Sequence, residues 1–394
     1  MNNWWFIFPF LLTVIGCSKS YMDFDDTVMS EQISLDEFSQ FIDGKTRGYS
    51  FLETRIIRVY FHFINSTDGD LNYSRDEGLG VITDLLSAAN HRMTSNDHMH
   101  LPKGNTTPKI NAHIQYELAT YQGQPGVFHH LDPAPIYFRK KGKKRNLYDR
   151  KALQPYAQYQ DSVVNVFLMP FDPEQLNSGE QNLEITAVAL GTTIKLPGLF
   201  QSGRAPSEYA GVFNHEMGHI LGLRHTWNVN DGCDDTPMHS NCWNKSELPP
   251  CDQESSNNLM DYNAHQSAIT PCQIMKMHER ISKPGSKARH LVQEDWCKNT
   301  PAEKYIDQYE LIDKMTILSH DLVVRSKGIL VIESAVFLGA GRKIKVQKGG
   351  VLILNNALLF SACAEPWYGI QTQKGGKVLM VGDRNQILNG SHVE

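Results

Sequence analysis

The run His215-Glu216-Met217-Gly218-His219 constrains this 394-residue chain more than any other segment. Histidines four apart share one face of a helix, so a helix over 207–221 aims both imidazoles at one point. Two such nitrogens can share a tetrahedral metal ion. Glu216 stands beside that point, where a carboxylate can take a proton from water. Gly222 tolerates the left-handed turn that a Cβ penalises, and so is placed to stop the helix. The chain can then swing back to bring in His225 as a third ligand, leaving a fourth position open for water.

The residues before this run alternate between strand and helix patterns. Ile56 to Ile64 reads as a strand ending at the turn Ser66-Thr67-Asp68-Gly69. From Gly78 to Met93, Leu79, Ile82, Leu85, Leu86 and Ala89 recur at helical spacing. Ile110 to Leu118 and Val163 to Met169 read as further strands, and Ala187 to Ile194 is an apolar stretch leading to the histidine segment. Such an alternation predicts a mixed sheet covered by helices.

With Gly222 and His225 included, the run resembles the metzincin signature. Metzincins carry a methionine turn beneath the metal, and Asn257-Asn258-Leu259-Met260-Asp261-Tyr262 is similar to one. Together the two motifs resemble the pappalysin branch and its small ulilysin-like peptidases, over about residues 50 to 295. The resemblance implies zinc on His215, His219 and His225, Glu216 as general base, and Met260 as the apolar floor. It also implies that Tyr262 lies near the metal and helps hold the oxyanion of a tetrahedral intermediate.

Cys233, Cys242, Cys251 and Cys272 follow the motif, and four cysteines allow three pairings. The resemblance implies Cys233–Cys251 and Cys242–Cys272. Cys297 and Cys363 are left without a reading. The stretch from Asn230 to Pro237 is rich in carboxylates. Asp231, Asp234, Asp235 and Thr236 could offer hard oxygen ligands to calcium, which the resemblance also implies, or could simply cap a polar turn. Some members of the branch are kept latent by an upstream cysteine, yet no cysteine lies between Cys17 and Cys233. Latency would need another ligand, such as a carboxylate within 18–50.

Trp4 to Ile15 is apolar but too short to span a bilayer, and fits a secretory signal. It ends in Val14-Ile15-Gly16-Cys17, which resembles a bacterial lipobox with Cys17 as the lipidated residue. Either way the chain is expected to be exported: to the outer membrane or cell surface as a lipoprotein, otherwise to the periplasm or medium. The charge balance, 38 basic against 43 acidic residues, offers no electrostatic case for nucleic acid. The basic run 139–145 reads as a solvated or cleavage-prone loop.

After about Asp313 the texture changes. Lys327-Gly328, Lys348-Gly349-Gly350 and Lys374-Gly375-Gly376 each precede a short β-rich run. Recurring turn glycines before strands suggest rungs of a solenoid; a small β-sandwich is the competing reading.

The expected fold is α+β: a metzincin-type catalytic domain with a mixed twisted sheet and two main helices, then a short all-β segment resembling a right-handed β-helix. The expected boundaries are signal peptide 1–17, tether or pro-segment 18–50, catalytic domain 51–295, linker 296–315 and solenoid 316–394. The expected function is hydrolysis of peptide bonds in protein or peptide substrates, with zinc as cofactor and membrane attachment through Cys17. The rival reading is a surface adhesin or assembly module in which the metal domain is mainly structural.

Overall fold

The computed structural model describes residues 54–387 except 68, 70–71, 139–145, 171–186, 200–202, 227–229, 237, 240–241, 243–250, 252, 263–264, 283–285, 294–301, 314–315 and 364. The expected signal peptide with Cys17, the 18–50 segment, the basic run 139–145 and Cys297 lie outside the described residues.

The central strand β1, Arg55–Ser66, is long enough to take two partners along each edge. On one edge it pairs in parallel with β2 (Ile114–Leu118) and then β5 (Val127–Asp132). On the other it pairs in parallel with β6 (Val164–Met169) and antiparallel with β9 (Val292–Gln293). The sheet runs on through β8 (Thr193–Pro197), parallel to β6, and ends at β7 (Val188–Ala189), antiparallel to β8. Alternate residues of β1 serve the two faces, as a pleated strand requires. Ile57, Val59, Phe61 and Phe63 enter the main core, whereas Ile64 joins Phe138, Phe167 and Met169 on the opposite face.

Three helices contribute to the main core. Helix α1, Arg75–Thr94, begins three residues earlier than hydrophobic spacing suggests. The reason is a capping box: Ser74 accepts from the Glu77 amide, and Glu77 accepts from the Ser74 amide. Helix α2, Ala210–Ile220, carries the histidine run and packs on α1, where Asn214 Nδ2 donates to Ala89 O at 3.0 Å. Helix α3, Pro271–Ser282, follows the methionine turn and is a third helix where two were expected. Its start is also boxed, with Thr270 Oγ1 accepting from the Gln273 amide and Gln273 Oε1 from the Thr270 amide, and with Pro271 first inside.

Among the described residues the C-terminal part is a parallel β-helix of four rungs. Its three sheets run β10-β13-β16-β19, β11-β14-β17-β20 and β12-β15-β18-β21. The first rung contains β10 (Glu303–Ile306), β11 (Tyr309–Ile312) and β12 (Thr316–Leu318). The second has β13 (Asp321–Val324), β14 (Ile329–Ile332) and β15 (Ala335–Leu338); the third has β16 (Ile344–Val346), β17 (Val351–Asn355) and β18 (Leu358–Ser361). The fourth has β19 (Ile370–Thr372), β20 (Lys377–Val381) and β21 (Gln386–Ile387). All these pairings are parallel, which excludes the hairpins of a small β-sandwich. The turn glycines stack: Lys327 N donates to Gly349 O and Gly349 N to Gly375 O. The boundary at 316 needs correction, because the first rung opens at Glu303, inside the stretch read as linker. That rung turns at Asp307-Gln308 and so lacks the glycine that marks the others.

The β-helix is not a detached appendage. Val336, Leu338 and Leu359 fill its interior, while the intervening Phe337 and Phe360 point outward and join the main core. The two rings stack with centroids 5.5 Å apart, and Phe337 lies 6.3 Å from the ring of His278 on α3. Arg55, at the start of β1 and fully buried, donates from Nη1 to Ala362 O at 2.9 Å. Two parts sharing one apolar core should unfold together. Phe337→Ala should cost about 3–5 kcal/mol and lower the midpoint of a single calorimetric transition. Two separate transitions in the parent protein would contradict the shared core.

Candidate metal centre

Helix α2 ends as the sequence predicts, and its ending builds the centre. Gly222 has φ +96°, Gly222 N donates to His219 O, and Leu223 N donates back to Gly218 O at 2.9 Å. This pair of bonds is a Schellman cap, which reverses the chain within two residues. His225 is thereby returned to the helix face that carries His215 and His219.

The three histidines converge through the same nitrogen. His219 Nε2 lies 3.1 Å from His215 Nε2 and 3.0 Å from His225 Nε2. The other nitrogen is committed elsewhere: His215 Nδ1 donates to Leu259 O at 2.7 Å, and His219 Nδ1 to Leu223 O at 3.0 Å. Those bonds fix the tautomer of His215 and His219 with a bare lone pair on Nε2. Burial, and the neighbouring imidazoles after it, push His215 down to about 3 and His225 to about 4. All three rings are therefore neutral at ordinary pH. Lone pairs about 3 Å apart repel one another, and a cation among them removes the repulsion. Three imidazole nitrogens fit zinc with one position left open.

Glu216 is buried, and its Oε2 accepts from Ala189 N, on the edge strand β7, at 2.6 Å. Burial pushes the carboxyl up to about 7, against the pull of that amide. A group near neutrality can both take and return a proton. Tyr262 stands edge-on to His225, ring centroids 4.7 Å apart, and is 47% exposed, so its hydroxyl remains within reach of solvent or a ligand. Partial burial first, then the charges of Glu216 and Tyr148, hold its phenol protonated.

Met260 underlies the helix as expected. A Cβ on Gly218 would lie 2.6 Å from the Met260 sulfur, so the residue before His219 must be glycine for the turn to approach. Asn258 fixes the turn by exchanging two amide bonds with Gln273 of α3, at 2.9 and 3.0 Å, while its Oδ1 also accepts from Met260 N.

Sequence reasoning passed over Asp261. Fully buried, it accepts from Thr226 Oγ1 at 2.6 Å, from His239 Nε2 at 3.0 Å and from Ser256 Oγ. Its charge also raises the proton affinity of His225, against burial. An acidic residue set directly between Met260 and Tyr262 was the available signal.

The disulfides differ from those implied by resemblance. Cys233 pairs with Cys272 and Cys242 with Cys251, with Cα separations of 5.7 and 5.4 Å. The cause is local: Asp235 accepts from Thr270 Oγ1 and from Cys272 N, which ties the 231–236 turn to the start of α3 and sets Cys233 opposite Cys272. Cys363 is also disulfide-bonded. Carboxylates of the expected calcium loop make contacts within the protein. Asp231 accepts from Cys233 N and Thr236 Oγ1, Asp235 caps α3, and Asp234 is exposed. Asp235 does cluster with Cys233 and Cys272, but those sulfurs are bonded to each other. These contacts brace the turn against α3.

Residues 158–282 match the sequence profile of the M43 peptidase family, described as pregnancy-associated plasma protein-A. That match, over about a third of the chain, supports a metallopeptidase domain of the metzincin class and pappalysin type. The metzincin class implies zinc. Among solved structures the chain is similar to mature mirolysin of Tannerella forsythia in complex with a cleaved peptide, at 18% identity and TM-score 0.43, over 61% of this chain and 96% of that one. It is also similar to a mirolysin in complex with a small compound, at 17% identity and TM-score 0.42, with the same coverage. A Tannerella forsythia promirolysin variant follows at 16% identity and TM-score 0.41, over 61% and 84%. No curated protein matches the chain.

Asp261→Ala removes the shared acceptor of three buried donors, which should cost about 3 kcal/mol. It should also lower zinc affinity about 10- to 100-fold, as loss of a supporting carboxylate does. Competition with a zinc-binding dye checks this; unchanged affinity would show that Asp261 does not support the centre.

Proposed function

We propose that this chain is an exported zinc endopeptidase in which His215, His219 and His225 hold the metal and Glu216 moves the proton. The observation that carries the reading is the convergence of three imidazole Nε2 atoms beside a buried carboxyl. When bound, zinc supplies Lewis acidity, polarising the scissile carbonyl and making a water acidic enough to attack near neutral pH.

The chain's own groups do the rest. Glu216, aimed by the Ala189 amide, accepts the attacking water's proton and passes it to the leaving amine. The Tyr262 phenol, kept protonated, donates a hydrogen bond to the developing oxyanion. Strand β7 is the outer strand of its sheet among those described, so an extended peptide can lie along it beside Glu216. Water is the nucleophile, and no covalent acyl-enzyme forms.

Export and a lipid anchor at Cys17 complete the proposal. The lipobox-like ending and the disulfides, which persist in oxidising compartments, support it. The β-helix, sharing a core with the catalytic domain, favours one working unit over an adhesin with a passive metal domain.

Glu216→Gln should retain one equivalent of zinc while proteolysis falls about 10²- to 10⁴-fold. Metal analysis beside a peptide-cleavage assay measures both. Removing zinc with a chelator should abolish the parent's activity, and adding zinc back should restore it. A Glu216→Gln protein that cleaves like the parent would overturn the mechanism.

A further inference from the structure

The turn from Asn146 to Asp149 lies on the surface, yet it is clamped to the sheet beside the metal centre. Asp149 N donates to Asn146 O at 3.1 Å, and Tyr148 N donates to Asn146 Oδ1 at 3.0 Å. A buried cation pins this turn: Lys195 of β8 donates from Nζ to Asn146 O at 2.7 Å, to Asp149 O at 2.9 Å and to Phe138 O at 3.2 Å. An ammonium has three N–H donors, and all three are used, which makes its burial tolerable. The next residue supplies a second anchor. Arg150 packs over Gly191, in the turn between β7 and β8, with Nη1 2.8 Å from where a Cβ would stand. Its Nη2 donates to Gln160 Oε1 at 3.1 Å. Lys195 pairs in register with Val188, and Gly191 lies two residues beyond Ala189. Both anchors therefore border β7, the strand whose Ala189 amide holds Glu216.

Tyr148 is the residue that this clamped turn presents. Its ring is 68% exposed, and among the described residues its side chain has no hydrogen-bond or ring partner. The Tyr262 phenol, after partial burial and the charge of Glu216, feels the charge of Tyr148. The two tyrosines thus border one space, Tyr148 from the side of β7 and Tyr262 from the side of His225. That space is where a peptide paired with β7 would pass over Glu216. A single exposed ring is ordinary on a protein surface. A ring held ready on a clamped turn beside the reacting groups is pre-organised, so a ligand that packs on it loses little further freedom.

We infer that Tyr148 is a specificity-determining residue, whose ring favours substrates carrying an aromatic side chain beside the scissile bond. The ring offers a flat apolar face without a formal charge, which suits a second ring stacked or edge-on. Lys195 is the positioning residue behind it. The inference rests on the peptidase reading above.

The test uses the full zinc-loaded chain and its variants Tyr148→Ala, Tyr148→Phe and Tyr148→Glu. A peptide library read by mass spectrometry should show Phe, Tyr or Trp enriched at one position flanking the cut. Tyr148→Ala should raise KM for a Phe-containing peptide about 3- to 10-fold, with a smaller change in kcat, whereas Tyr148→Phe should keep the parent's preference. Tyr148→Glu should enrich Lys or Arg at the same position, a gain that a misfolded protein cannot produce. Binding of fluorescent peptides with Phe, Gly or Lys at that position, to Glu216→Gln with and without Tyr148→Ala, reads the preference without cleavage. Cleavage with no aromatic preference, or a preference unchanged by Tyr148→Ala, overturns the inference and leaves the peptidase reading standing. Absence of cleavage by the zinc-loaded parent overturns that reading instead, and equal binding of the three peptides then removes the role of Tyr148 as well.

Discussion

The centre depends on one electrostatic constraint: three neutral imidazoles converge through Nε2, with that of His219 about 3 Å from each of the other two. Such an arrangement must be imposed, because nothing in the three rings favours it without a cation. Each imposing device is local. The carbonyls of Leu259 and Leu223 hold the protons on Nδ1, and the left-handed Gly222 returns His225 to the helix. The absent side chain of Gly218 lets the Met260 turn press up from below. The turn itself rests on Asp261 and on the Asn258–Gln273 exchange, so α3 belongs to the site as much as α2 does.

The same dependence reaches the β-helix. Its outward-facing Phe337 and Phe360 are buried only because the catalytic domain covers them, and His278 of α3 stands against Phe337. Burial of two such rings is worth several kcal/mol, a large fraction of ordinary domain stability. A repeat segment joined this way stiffens the helix that braces the methionine turn. The metal, the turn, α3 and the solenoid face therefore form one mechanical chain from chemistry to tail.

Most of the centre was legible because its signals are short in sequence. Spacing of four on a helix, a glycine after it and a third histidine three further on need no distant information, and His215, His219 and His225 converge as those rules imply. The strands of the main sheet were legible for a similar reason, since β1 and β6 are dense in β-branched and aromatic residues. What escaped was set by tertiary contact. Asp261 gains its meaning from Thr226, His239 and Ser256, which no local pattern connects to it. The disulfide pairing follows from the cap that Asp235 places on α3, not from spacing. The first rung was missed because its turn at Asp307-Gln308 has no glycine, so the repeat became visible only from Lys327-Gly328 onward.

X-ray absorption at the zinc edge on the full chain loaded with one equivalent of zinc tests the central claim most directly. The account predicts three nitrogen scatterers of imidazole type at about 2.0–2.1 Å and one further light ligand. His225→Ala should reduce the imidazole count to two. A sulfur ligand at about 2.3 Å, or an imidazole count unchanged by His225→Ala, would contradict it.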